Sequence, residues 1–338
     1  MLSLSTACIF DKFLVMDVSS LFVSILSPMV LAFVLGIVAA RLKSDLKFPD
    51  SLYQSLTIFL LIAIGLKGGY KLSLASFDEF YKPALAAIAL CSSIPIWVYF
   101  IFKKLGKFDT YNAAALAAHY GSVSAVTFSA ALAFHDNLGI SYEGFMPSLL
   151  AIMEIPAILI ALALVRLNAP NAEDKVPMKA VAHELLSGKS TLLLVGFLII
   201  GFASGKTGWE QVSPLFDVPF KGVLTLFLLE AGLVAGRKLS DLKTAGFFLL
   251  GFGIIMPILH SILGIYLGKW AGLSLGGATI LGILSASASY IAAPAACRIA
   301  LPQASPSYYL TAALAITFPF NITVGIPLYR SFAQYIFQ

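Results

Sequence analysis

The stretch at about 110–134 is apolar and long enough to cross a bilayer, yet its middle reads Gly121-Ser122-Val123-Ser124. About 20 predominantly apolar residues cross the hydrocarbon as helix. Glycine and serine hold a helix poorly, because glycine loses most backbone freedom there and serine bonds to nearby backbone groups instead. Backbone can leave helical geometry at membrane depth only where the protein or a water-lined cavity satisfies its freed groups. The chain must therefore build a polar interior in an apolar setting. A counterpart lies near the C-terminus, Ser285-Ala-Ser-Ala-Ser-Tyr-Ile291, with Pro294 just beyond it.

Composition agrees with a membrane setting. Of 338 residues, 59% are hydrophobic and 12% charged, with a mean hydropathy of +0.92; soluble domains carry about 25% charged residues. Continuous apolar runs exclude the short alternating strands of a barrel, and an all-α integral membrane protein follows. A net charge of +5 could suggest nucleic acid in a soluble protein, but here the positives sit in short loops and act as orientation signals. Cys8, Cys91 and Cys297 are scattered and lie near no His at ligand spacing, so neither a metal site nor a disulfide framework is expected. Residues 1–19 hold Lys12 and an apolar run without a small-residue cleavage site, and are expected to be an interfacial start.

Hydropathy and length place ten spans, at about 20–41, 51–66, 83–102, 110–134, 145–167, 190–205, 219–236, 245–268, 273–298 and 307–332. The longest loop, 168–189, separates a first five-span half, 20–167, from a second, 190–338. Most of the 22 Lys and Arg residues follow odd-numbered spans, among them Arg41, Lys103, Lys104, Arg166, Lys189, Arg237 and Lys238. The positive-inside rule then puts those loops in the cytoplasm and both termini outside.

The halves repeat. Gly65-Leu66-x-x-Gly69-x-Lys71-Leu72 matches Gly232-Leu233-x-x-Gly236-x-Lys238-Leu239. Ser122-x-Ser124-Ala-Val126 matches Ser287-x-Ser289-Tyr-Ile291, and Leu150-Ala-Ile152 matches Leu314-Ala-Ile316. The order is the same and the offset nearly constant, which marks an internal repeat. Five spans per half is an odd number, so the second copy enters the membrane upside down. Inverted repeats with interrupted helices in corresponding places mark secondary transporters, whose site lies at the repeat interface near the midplane.

The chemistry concentrates at the breaks. A helix restarting near Ala125 presents free amide groups and a positive dipole end to the membrane centre. Ser122, Ser124 and Thr127 add hydroxyls, span nine repeats the device with Ser287 and Ser289, and two such ends facing each other suit a small anion. Close packing of small residues is the alternative use of either motif alone. Glu154, in Met153-Glu-Ile-Pro156, is a mid-membrane carboxylate and so a functional candidate. It could help bind sodium or carry a proton. Glu230 is expected to hydrogen-bond between helices, His119 and His260 to pack, and Thr317, Asn321 and Thr323 to line the cavity. A passive anion channel would share the broken helices but not gradient-coupled flux. A hydrolase is excluded, because no acid accompanies Ser122 and His119 at orienting distance in the sequence; no enzyme activity is expected.

Ile64-Gly-Leu-Lys-Gly-Gly69, the two breaks, Met153-Glu-Ile-Pro-Ala157 and Ile326-Pro327 resemble the sodium-dependent bicarbonate permeases first recognised in cyanobacteria, over about residues 25 to 335. The resemblance implies ten spans in a five-plus-five inverted repeat, a scaffold part and a moving core, a homotrimer in the bacterial inner membrane, and sodium-coupled import of bicarbonate. The substrate site falls on Gly121, Ser122, Val123, Ser124, Ala125, Thr127, Ser287, Ser289, Tyr290 and Ile291. Sodium falls on Glu154 with Ser124, Ser287, Ser289 and Thr317, as coupling ion and with no other metal or cofactor. A trimeric PII-like regulator on the cytoplasmic face is a further implied partner, against which the short central linker speaks. Well-known members have Ser-Asp-Ile where this chain has Ser289-Tyr290-Ile291, so one carboxylate of the family pattern is missing. Another small anion or carboxylate, coupled to sodium or protons, is therefore the alternative cargo.

Overall fold

The computed structural model describes residues 26–168, 178–239 and 242–338, whose regular structure is helical, with no strand among them. The expected interfacial start, 1–19, lies outside the described residues. In chain order the helices are α1 Pro28–Arg41, α2 Asp50–Leu72, α3 Phe77–Lys104, α4 Thr110–Gly121, α5 Ala125–Asn137, α6 Met146–Glu154 and α7 Pro156–Asn168. They continue as α8 Met178–Ser187, α9 Lys189–Phe216, α10 Phe220–Lys238, α11 Leu242–Trp270, α12 Leu275–Ala286, α13 Ala292–Ala300 and α14 Pro306–Phe337. Among the described residues, seven stretches are long and apolar enough to cross a membrane, counting α4–α5 and α6–α7 as one each. The protein is a multi-pass membrane protein. The other three expected spans fall on α1, described from Pro28; on α10, which carries Lys221, Glu230, Arg237 and Lys238; and on the divided α12–α13.

The helices start where their caps dictate. Ser27 accepts from the Val30 N–H ahead of Pro28, and Ser76 and Glu79 form a reciprocal capping box at α3. Asp109 accepts from the Tyr111 and Asn112 amides, both at 2.9 Å. Two boundaries differ from expectation. Span six was expected to end at Gly205; there φ is +58°, a kink glycine tolerates without strain, and the helix resumes to Phe216. The expected linker contains α8, which buries Val181 and Leu185, one turn apart, against the bundle.

One close crossing occurs twice. α2 and the part of α9 before Gly205 run parallel, and a Cβ on Gly65 or Gly69 would strike the backbone of Leu194 or Leu198. α1 and α10 also run parallel, and a Cβ on Gly232 would strike the backbone at Phe33. Gly36 and Gly201 occupy matching places in the two crossings, each against the backbone of the partner helix. Such backbone contact needs small residues, as in membrane helix pairs generally. Of the broken segments, α5 packs against α10, with α3 behind α4 and α11 behind α12, and the centre of α4 is fully buried.

α14 winds partly as π-helix, at Thr311–Thr317 and Asn321–Gly325. Pro319 and Pro327 supply no amide to the turn before them, which loosens the regular ladder there. The widened turns carry Thr317 and Asn321, both wholly buried.

Candidate functional site

The chain leaves helical geometry after Gly121 and re-enters at Ala125. It leaves again after Ala286 and re-enters at Ala292. Each restart is capped by a serine of its own break. Ser124 Oγ accepts from the Thr127 N–H at 3.1 Å and the Thr127 hydroxyl at 3.0 Å, and Ser289 Oγ accepts from the Ala293 N–H at 3.2 Å. Thus the residues least suited to helix interior satisfy the amides that the interruption exposes.

The two breaks are bonded to each other. The Ser124 N–H donates to Ser287 Oγ at 2.9 Å, and the Ser287 hydroxyl donates onward to Leu284 O at 2.8 Å. The Ser289 N–H donates to His119 O at 2.8 Å. Asn321 Nδ2 donates to Ala286 O at the end of α12, and the Tyr329 hydroxyl donates to Asn321 Oδ1. These bonds meet the requirement that buried irregular backbone be satisfied within the protein.

Glu154 joins them through the α6–α7 break. The Ile158 N–H donates to Ile155 O at 3.1 Å, one residue short of the regular ladder, which frees Glu154 O to accept from the Ser122 hydroxyl at 2.9 Å. The Glu154 side chain lines a cavity of about 10 Å³ together with Leu61, Val123, Ser124, Ala125, Ser190, Ser289, Tyr290, Ile291 and Ala292. Glu154 and Tyr290 are each 9% exposed. Glu154 Oε2 makes no hydrogen bond, and the Tyr290 hydroxyl, beside Ser124, makes none of good geometry. Both restarting helices, α5 and α13, bring their N-terminal ends to this cavity, where the helix dipole favours negative charge.

A family model described as the Na+-dependent bicarbonate transporter superfamily matches residues 28–334. The chain belongs to that superfamily. No curated protein matches it. In this member of the superfamily, Val123, Ser124, Ala125, Glu154, Ser289, Tyr290 and Ile291 come together around one cavity. The other expected site residues lie behind it. Gly121 packs on Pro95 and Ala157, Ser122 holds Glu154 O, Thr127 bonds Ser124, and Ser287 bridges the breaks. Thr317 bonds the Tyr120 hydroxyl at 2.7 Å and donates to Gly253 O at 2.8 Å, away from the cavity. Asn321 likewise serves the end of α12, and Thr323 bonds Pro319 O.

Ser190 and Leu61 were not legible as site residues. Ser190 follows Gly188-Lys189 at the start of α9, where nothing local distinguishes it from a helix-end serine. His119 stacks on Tyr309 at 4.4 Å and bonds Ala115 O, and His260 Nε2 accepts from Trp97 Nε1 at 2.9 Å, so both imidazoles pack. Glu230, expected to bond between helices, has Oε2 buried without a partner. Among the described residues no His, Cys, Asp and Glu cluster could hold a metal ion.

A second cavity, about 310 Å³, opens between α2, α5, α6 and the α9–α10 turn, lined in part by Ile64, Lys67, Asp136, Tyr142, Asp217 and Lys221. Lys67 pairs with Asp217 at 2.8 Å, Lys221 Nζ donates to Asn137 Oδ1 at 2.8 Å, and the Tyr142 hydroxyl donates to Asp136 at 2.9 Å. Burial, and then the charge of Asp136, push the Tyr142 phenol above its ordinary pKa, so it stays a donor.

Proposed function

We propose that this protein is a secondary active transporter that imports bicarbonate together with sodium by alternating access. The observation that carries the reading is the meeting of two helix restarts, each serine-capped, around a cavity that is also lined by Glu154, one carboxylate oxygen of which is buried without a partner. Two positive helix ends suit a small anion, and Glu154 with neighbouring hydroxyls suits a small cation. The bicarbonate and sodium assignments draw on the superfamily to which the chain belongs.

The finer architecture belongs to the same proposal. Ten spans in a five-plus-five inverted repeat, with halves at 20–167 and 190–338, are supported by the duplicated glycine crossings and duplicated breaks. Both termini lie outside and the Arg- and Lys-rich loops lie in the cytoplasm of a bacterial cell, by the positive-inside rule. The α1–α10 and α2–α9 pairs form the scaffold, against which the body holding the broken helices slides. The 310 Å³ chamber follows the cavity along both α2 and α5, from Leu61 to Lys67 and from Ala125 to Leu132, and so supplies its outer access route. The homotrimer and the PII-like cytoplasmic partner rest on the family resemblance alone.

The test is uptake of labelled bicarbonate into proteoliposomes. Uptake should saturate, require an inward sodium gradient and fall at least tenfold in Glu154→Ala. Ohmic anion current, or uptake indifferent to sodium and to Glu154→Ala, overturns the reading. One observation favours a second reading: Glu154 is the single carboxylate lining the cavity, so a proton could replace sodium. Uptake driven by a pH gradient in sodium-free medium would select it, and competing anions would identify another cargo.

A further inference from the structure

The lining of the cavity between the breaks suits one small cation before it suits an anion. That lining includes one carboxylate, Glu154, and the hydroxyl residues Ser124, Ser190, Ser289 and Tyr290, with no Lys or Arg. A buried carboxylate with an unpartnered oxygen attracts a cation and repels an anion. Two hydroxyls expected there are committed elsewhere, Ser287 to Leu284 O and the Ser124 amide, Thr317 to Tyr120 and Gly253 O. Ser190 lines the cavity, which it reaches from α9, the helix that runs locked against α2.

We infer that loading is ordered: one cation enters first, held by Glu154 and by Ser190 of α9, and the anion binds only once that cation has neutralised Glu154. The inference rests on the sodium-coupled reading above and adds Ser190 and the sequence of events. Ser190 thereby ties the cation to the scaffold helix, so the occupied and empty sites differ in what joins the two bodies.

The test uses purified full-length protein in sodium-free choline buffer, with thermal unfolding as the binding readout and proteoliposome uptake alongside. Sodium alone should stabilise the protein saturably, and bicarbonate should do so only in its presence. Ser190→Ala and Glu154→Gln should each raise the half-saturating sodium concentration at least tenfold, and Ser190→Thr should restore the Ser190→Ala loss. Because Ser190→Ala removes one oxygen beside the helix end, its unfolding without sodium should match the parent, which separates a lost ligand from a lost fold. Bicarbonate binding in choline, or sodium responses unchanged in both variants, overturns the inference even if sodium-dependent uptake stands. A sodium response that needs Glu154 and Ser190, without bicarbonate uptake, sustains the cation site and instead removes the bicarbonate reading.

Discussion

Ser124 does three things with one side chain and one amide. Its Oγ caps α5 through Thr127, its N–H bonds Ser287 across the breaks, and it lines the cavity. Replacing the hydroxyl removes the cap, an effect of about 1 kcal/mol, while the amide bond to Ser287 survives. Ser124→Ala should therefore lower the unfolding midpoint by only a few degrees yet depress uptake at least tenfold; a proportionate loss of both would make Ser124 merely structural. At this scale the sequence was informative wherever local chemistry was unfavourable to helix. Gly121 to Ser124, Ser287 to Ile291 and Glu154 all stood out because each is costly in a plain apolar span. Ser190 did not, since a serine near a helix start has no local cost and gains meaning only from what faces it.

The close crossings set what each element tolerates. A methyl on Gly69 meets the carbonyl oxygen of Leu198, and backbone cannot swing aside as a side chain can. Gly69→Ala should therefore destabilise by about 1–3 kcal/mol, read as a lower unfolding midpoint in detergent. Gly222 in α10 has nothing within 4 Å of its would-be Cβ, so Gly222→Ala should be neutral or stabilising by up to about 1 kcal/mol. Equal effects of the two would show that helix propensity, rather than contact, governs these glycines. The repeat in the sequence located both glycine pairs, but not their partners. That α2 lies on α9 and α1 on α10, each parallel, depends on the tertiary arrangement, because the matching small surfaces would fit more than one neighbour. The helix at α8 was missed for a similar reason, since Val181 and Leu185 make too short an apolar stripe to stand out before the bundle buries it.

For the whole molecule, the alternating access proposed above requires the body with the broken helices to move past α2, α9 and α10. The contact between Lys221 of α10 and Asn137 of α5 bridges those parts at the edge of the larger chamber. Cysteines at both positions, joined by a short thiol cross-linker, should arrest uptake, and cleaving a reducible linker should restore it. Unchanged uptake after complete cross-linking would show that these parts do not separate. The sequence by itself determined that the chain is a helical membrane protein, where two of its spans are interrupted, and which buried carboxylate needs a reason to exist. Those facts follow from hydropathy, helix propensity and the cost of charge in hydrocarbon, all of which act locally. Only the tertiary structure decided that the interruptions bond to each other, that Thr317 and Ser287 spend their hydroxyls elsewhere, and that Ser190 completes the cavity. A hydroxyl can serve a backbone carbonyl or a solute with the same donor, and which one it meets depends on the helix packed opposite.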